Sequence, residues 1–255
     1  MSEENLKLIL NKAISLPLVK VNREEFLRKN LLKHFLAEEV HDIINYSYEY
    51  RDSDRDILDK ISKECINFET NKVSAISAIS GIPGGFGMIG TIPADLVQFY
   101  GHVLIIIQKL MYLYGWPDLG LENSNMDDET INKMLLFLGI MFGVAKASTG
   151  LKILAQNLGT HTAKRLSRMA LTKTAYYPIV KQVSKSLGIQ MTKQIFAKNV
   201  GKVIPIVGAV SSGGLTYIFF KNMSKRLKSH LSSNIKTYSF HGTSDFSDFD
   251  IVSEQ

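Results

Sequence analysis

Three long runs of the chain carry no charged side chain, and each contains glycine or proline. They cover residues 73–94, 134–145 and 203–220 and are 22, 12 and 18 residues long, and Asp95 alone separates the first from a further uncharged stretch over residues 96–108. The first and third approach the roughly 20 apolar residues that a membrane-spanning helix needs. The glycines and prolines inside them favour short hairpins or tightly packed core helices over straight membrane spans. Burial in a protein core and contact with a membrane both stay open.

The remaining sequence has the apolar spacing of amphipathic helices. Residues 1–14 predict a short N-terminal helix, which stops before Pro17. Residues 23–50, 54–68 and 94–114 each repeat apolar side chains at intervals of three and four. Alternating strand patterns are absent from the sequence. We therefore predict an all-α fold, a compact multi-helix domain with glycine-rich, uncharged helical hairpin segments.

The net charge of +6 conceals a strong segregation of acids and bases along the chain. Residues 1–70 hold 11 Lys/Arg and 14 Asp/Glu, whereas residues 131–240 hold 17 Lys/Arg and no acid. The final residues, 241–255, hold four acids and no base. Because residues 131–240 cannot neutralise themselves, the acidic parts of the chain or an anionic partner must do so.

Composition and patterning also predict the domain organisation and the cellular compartment. We expect an N-terminal helix over 1–14, a helical domain over 15–235, and a disordered acidic tail over 236–255. Cys65 is the single cysteine, which excludes an intramolecular disulfide and fits a reducing compartment. The acidic start of the chain does not resemble a signal peptide, so we expect a cytoplasmic protein.

A match to the pattern G-x-G-x-x-G occurs at Gly85, Gly87 and Gly90. A dinucleotide site would need a preceding strand, a following helix and an acid about 20 residues further on. The preceding "VSAISAIS" is helix-like, and position 110 is leucine. The glycines instead predict a backbone that needs positive φ or close packing before a new helix. In that helix Pro93 suits the first turn, and Asp95 is expected to stabilise the start; a functional carboxylate is the alternative.

The stretch "GIPGGFGMIGTIPADLVQFYGHVLIIIQKLMYLYGWPDL" resembles the signature of the EcsC protein family. Its elements are a glycine-rich run, Pro-Ala-Asp, an apolar helix and a Tyr-Gly-x-x-Asp stop, and "KVIPIVGAVSSGGLTYIFFKNMSKRLKSHL" is similar to the family's carboxy-terminal block. The matching positions are Gly84, Gly85, Gly87, Gly90, Pro93, Asp95, Tyr114, Gly115, Asp118, Pro205 and Gly208. The resemblance spans roughly residues 15–231, and Pro117 departs from the pattern. It implies a bacterial, mostly helical protein linked by name to an ABC-transporter operon, with no established activity, cofactor or catalytic residue.

The acid-free block supplies the candidate binding residues. Basic helices beside uncharged segments suit an anionic membrane face, where each nearby Lys or Arg contributes roughly 1 kcal/mol. The candidate membrane- or anion-binding residues are Lys164, Arg165, Arg168, Lys173, Lys225, Arg226 and Lys228. Nucleic acid is a weaker alternative because no recognised binding motif accompanies the charge. A solvated face that the acidic N-terminal helices or a protein partner balance also stays open.

The sequence contains little that predicts catalysis. His34 and His41 lie seven residues apart, but further zinc ligands in register with them are missing. We therefore predict a non-enzymatic protein without metal or cofactor, peripheral to the inner face of a bacterial membrane, that supports or regulates a membrane protein such as an ABC transporter. The alternatives are an effector that inserts into or perturbs the membrane and an enzyme that uses Asp95. The sequence leaves the oligomeric state open.

Overall fold

The apolar periodicity of the chain is realised as a bundle of α-helices around one central helix. The computed structural model describes residues 3–45, 52–80, 88–89, 92–118, 121, 127–159, 173–190 and 212–233. The helices are α1 (Glu3–Ile14), α2 (Arg23–Leu31), α3 (Ala37–Asn45), α4 (Arg55–Ser80), α5 (Ala94–Leu113), α6 (Asp128–Phe142), α7 (Ala145–Gly159), α8 (Lys173–Gln190) and α9 (Ser212–Ser233). A 3-10 turn, Asp52–Asp54, precedes α4. The prediction of an all-α fold is confirmed.

Helix α5 forms the centre of the core. Its side chains are buried along almost the whole length, and it contacts α1, α2, α4 and α9. Helix α6 contacts α9 and packs against α7 and α8. The buried side chains of α1 belong to the same hydrophobic core as those of α5 and α6.

Helices α4 and α5 form an antiparallel pair. Ser62 near the start of α4 meets Tyr114 after the end of α5, whereas Glu69 meets His102 in the middle of α5. The uncharged run 73–94 therefore ends α4, crosses to α5 and begins it. In this crossing, Met88–Ile89 (β1) pairs with Ile92–Pro93 (β2) as a two-residue antiparallel ladder, which the sequence analysis did not predict. The two residues between these strands lie outside the described ranges.

The continuous helix predicted over residues 23–50 is wrong. The chain leaves the helical path after Leu31, and α3 begins at Ala37. The backbone N–H of Leu36 donates to Glu39 Oε2 at 3.0 Å, which is the Glu half of a capping box at the start of a new helix. The guanidinium of Arg23 donates to the carbonyl of Ile44 at 2.8 Å, near the C-terminus of α3. This contact folds α3 back toward the start of α2.

The backbone at the two ends of α5 can be compared with the helix start and stop that the sequence predicted. The helix begins at Ala94, so Asp95 lies in its first turn, whereas Pro93, which was predicted in that turn, ends β2 directly before the helix. At the other end Gly115 has a φ of 81°. The N–H of Trp116 donates to Met111 O at 2.9 Å, and the N–H of Gly115 donates to Tyr112 O at 3.2 Å. These bonds form a Schellman motif, which needs a left-handed residue at Gly115.

Candidate anion-binding groove

Helices α4 and α9 pack along each other and leave a groove of about 300 Å³ between them. Because residues three and four apart share one face of a helix, each helix contributes a row of side chains. The lining residues are Lys63, Ile66 and Asn67 of α4 and Lys225, Lys228, Ser229 and Ser232 of α9. The groove therefore combines three ammonium groups with one amide and two hydroxyls.

One carboxylate, that of Asp59, binds two of these lysines. Asp59 Oδ2 lies 2.6 Å from Lys63 Nζ, and Oδ1 accepts a hydrogen bond from Lys228. The hydrogen bonds from Lys228 and Lys63 lower the pKa of Asp59 below its ordinary value, although partial burial opposes them. The carboxylate therefore stays ionised and holds both lysines at the groove. Lys225 has no ion pair among the described residues.

The predicted basic residues divide between the groove and other parts of the protein. Lys225 and Lys228 line the groove, as a binding role requires. The Arg226 guanidinium points away from it, to the carbonyl of Met141 at 3.5 Å, where a cation complements the C-terminus of α6. Lys173 begins α8, and its side chain is not described. Lys164, Arg165 and Arg168 lie outside the described residues, so their role stays a prediction.

Several other lysines of the acid-free block also lack a carboxylate partner within the described part of the chain. They are Lys146, which donates to the Gln182 side chain, Lys221, which donates to the Tyr217 hydroxyl, and the exposed Lys152, Lys181 and Lys185. Two ion pairs, Lys228 with Asp59 and Lys133 with Glu129, join the described block to acids outside it. The described fold therefore neutralises only a small part of the positive charge.

A second polar cluster lies in the core, between α4 and α5. The Glu69 side chain is 2% exposed and contacts His102 Nδ1 at 2.9 Å and Lys109 Nζ at 2.7 Å. Burial alone would raise the pKa of Glu69, but the hydrogen bonds from His102 and Lys109 outweigh it and lower this pKa. Lys109 also lies over the rings of Phe26 and Phe68, at 6.0 and 5.5 Å from their centroids. The sequence analysis missed this cluster, because Glu69 has no distinguishing local pattern.

The buried cluster suits structure better than catalysis. Cys65 lies one turn before Glu69, and burial raises the pKa of its thiol to about 11. A thiol with this pKa is protonated at neutral pH and is a poor nucleophile. The carboxylate of Glu69 is satisfied by two cationic or hydrogen-bonding partners, as buried charges require. We therefore assign the cluster to the packing of α4 against α5.

The motif residues at the end of α5 are structural anchors. The Tyr114 hydroxyl donates to Ser62 Oγ at 3.2 Å, and the Tyr112 hydroxyl donates to Asp118 Oδ1 at 3.3 Å. Trp116 is fully buried and packs edge-to-face on Phe137, with ring centroids 5.1 Å apart. The Tyr-Gly-x-x-Asp stop therefore ties α5 to α4 and α6.

The side chains of the other predicted motif residues lie outside the part of the chain that the structure describes. Gly84, Gly85, Gly87, Gly90, Pro205 and Gly208 lie outside the described residues, and the side chains of Pro93 and Asp95 are not described. Their predicted roles, including the alternative role of Asp95 in an enzyme, stay predictions. The predicted acidic tail over 236–255 also lies outside the described ranges.

The described ranges bear on metal binding and on membrane insertion. In this part of the chain no group of three or more His, Cys, Asp or Glu side chains could hold a metal ion. One helix there, α5, is long and apolar enough over Leu96–Leu113 to cross a membrane, and 78% of this window is buried inside the protein.

Comparison with known proteins leaves the family open. No family model, curated protein or solved structure matches the chain. The resemblance to the EcsC family therefore remains a prediction from the sequence motifs.

Proposed function

We propose that the chain is a non-enzymatic bacterial protein of the EcsC type that binds peripherally to the inner face of the membrane. There it supports or regulates a membrane protein such as an ABC transporter. The observation that carries the proposal is the surplus of unneutralised lysines on α7, α8 and α9. An anionic lipid surface supplies the countercharge that the described fold does not.

The burial of α5 argues against insertion of this helix into a bilayer. This helix has the length and composition of a membrane span, but its apolar side chains already contact α1, α2, α4 and α9. Moving α5 into a bilayer would expose the apolar faces of these neighbours, which costs about 25 cal/mol per Å² of apolar surface. Such a transfer would require the core to come apart.

Fractionation of cells that express the protein tests the proposal. A peripheral protein held by charge is expected in the membrane fraction at low salt and in the supernatant after a high-salt wash, because salt screens exposed charges. Resistance to both salt and alkaline carbonate, with release by detergent alone, would support the inserted alternative. Recovery of the whole protein in the soluble fraction at low salt would refute both membrane proposals.

Vesicle binding tests directly whether the basic residues attract the protein to anionic lipid. The protein is expected to sediment with vesicles that contain phosphatidylglycerol and not with vesicles of phosphatidylcholine alone. Reversal of Lys164, Arg165 and Arg168 to glutamate should weaken this binding. Reversal of Lys12, Lys29 and Lys33, which lie outside the acid-free block and give the same change in charge, serves as a control. Equal loss in the two variants would contradict a role for the block.

A further inference from the structure

The groove between α4 and α9 differs from the other basic surface in the way its polar groups converge. Three lysines line one concavity, and Asp59 already holds two of them in place. The side chains of Asn67 and Ser229 also face the groove, and neither has a hydrogen-bond partner among the described residues. The groove therefore presents positive charge together with unused neutral hydrogen-bond donors.

The charge and geometry indicate the chemical class of a ligand. Three ammonium groups and one carboxylate leave the groove with about two unbalanced positive charges. A phosphate monoester carries about −1.5 to −2 charges near neutral pH and offers three strong acceptor oxygens. A phosphodiester carries a single negative charge, so it would balance only part of the groove. Lysines bind phosphate as point charges, and amide and hydroxyl donors add direction.

We propose that this groove is a binding site for a phosphate monoester group, with Lys63, Lys225 and Lys228 as the charged ligands and Asn67 and Ser229 as hydrogen-bond donors. Asp59 acts as a positioning residue because it fixes Lys63 and Lys228 without occupying Lys225. The inference rests on the proposed function for its lipid source, since the same group occurs in phosphatidic acid and in small soluble phosphates. It deepens that function by adding headgroup selectivity to charge attraction.

The test compares a groove variant with a control of equal charge change. The groove variant is Lys63→Gln with Lys225→Gln, and the control is Lys181→Gln with Lys185→Gln on α8. All four lysines are exposed, so both variants should fold, which thermal melting verifies. Binding is measured to phosphatidylcholine vesicles that contain phosphatidic acid or phosphatidylglycerol, adjusted to equal zeta potential.

The parent protein and the control variant are expected to prefer the phosphatidic acid vesicles on the order of tenfold, which equals about 1.4 kcal/mol. The groove variant should lose this preference and keep the residual attraction to both vesicle types. Displacement from the phosphatidic acid vesicles by glycerol 3-phosphate would show that the free phosphate monoester suffices. If glycerol 3-phosphate does not displace the protein from the phosphatidic acid vesicles, the phosphate monoester that the groove binds is that of the lipid. Equal behaviour of the groove and control variants would overturn the inference.

Failure of the inference can be distinguished from failure of the proposed function. Salt-sensitive binding to both vesicle types without preference would leave the membrane function in place and refute the phosphate site. If calorimetry shows binding of glycerol 3-phosphate that requires Lys63 and Lys225, and the protein binds no vesicle, the phosphate site is supported and the membrane function is refuted. Absence of binding to vesicles and to glycerol 3-phosphate would refute both.

Discussion

Replacement of Glu69 by glutamine is expected to destabilise the protein strongly. The Glu69 side chain is 2% exposed and bridges His102 and Lys109, so the substitution leaves the half-buried Lys109 ammonium, 18% exposed, without its counter-ion. Breaking a buried ion pair costs about 3–5 kcal/mol, and glutamine should fall near 3 because it keeps the shape and one acceptor oxygen. For a chain of this size, roughly 2–4 °C per kcal/mol gives a drop in Tm of roughly 6–12 °C. Calorimetry and urea unfolding measure the change.

The control for this experiment is Glu24→Gln. Glu24 forms an exposed pair with Arg28 at 2.8 Å on α2, and exposed pairs of this spacing contribute about 0.3–0.5 kcal/mol. Both variants remove one carboxylate, so they differ in burial and not in charge. A loss for Glu69→Gln no greater than that for Glu24→Gln would refute the view that the buried cluster stabilises the packing of α4 against α5.

Three further predictions follow from packing and charge. Because the folded-state pKa of Glu69 lies below its unfolded value, the carboxylate contributes fully to the free energy of unfolding above about pH 4.5, and this contribution is lost as the pH falls through the folded pKa. Urea unfolding from pH 7 to 3 should therefore give a free energy of unfolding that falls with pH, and Glu69→Gln should reduce that fall. An equal fall in the variant would contradict this. Gly139→Ala would bring a new Cβ within 2.6 Å of Ala147 Cβ and 2.7 Å of Val183 Cγ1, so overpacking of about 1–3 kcal/mol should exceed the gain of about 1 kcal/mol in helix propensity, and a raised Tm would refute it. Deletion of residues 241–255 removes four acids and should increase binding to anionic vesicles at low salt, whereas unchanged binding would show that these acids do not shield the basic surface.

The sequence predicts α5 well because the residues that define this helix lie within it or next to it in the chain. The apolar stripe is continuous, Pro93 precedes the start, and Gly115 supplies the positive φ that ends the helix. The same reasoning fails at residues 32–36, where apolar residues continue through the break between α2 and α3. The contacts that stabilise this break are the cap from Glu39 and the reach of Arg23 to Ile44, and the second depends on tertiary structure.

The candidate groove could be predicted only in part. The charge pattern pointed to Lys225 and Lys228 and grouped them with Arg226, although Arg226 contacts the end of α6 instead. The sequence analysis missed Asp59 and Lys63, because their relation to α9 depends on how two distant helices pack. Asp59 and Lys228 are 169 residues apart in the chain. Composition therefore predicts that an anion is attracted, and tertiary packing selects the lysines that converge on one point.

The same packing bears on how the acid-free block is neutralised. Within the described part of the chain, Asp59 and Glu129 are the acids that form ion pairs with it, and both precede residue 131 in the chain. Asp59 does not neutralise the positive charge of the groove, because it binds two lysines and leaves the third, Lys225, without an ion pair among the described residues. The final turns of α9, which carry Ser229 and Ser232, line the groove, and the four acids of residues 241–255 follow soon after in the chain. Groups that a short stretch of chain joins to a site reach that site at a high effective concentration. We therefore expect the tail acids and an external phosphate to compete for the same lysines, and occupancy of the groove to depend on the concentration of the phosphate.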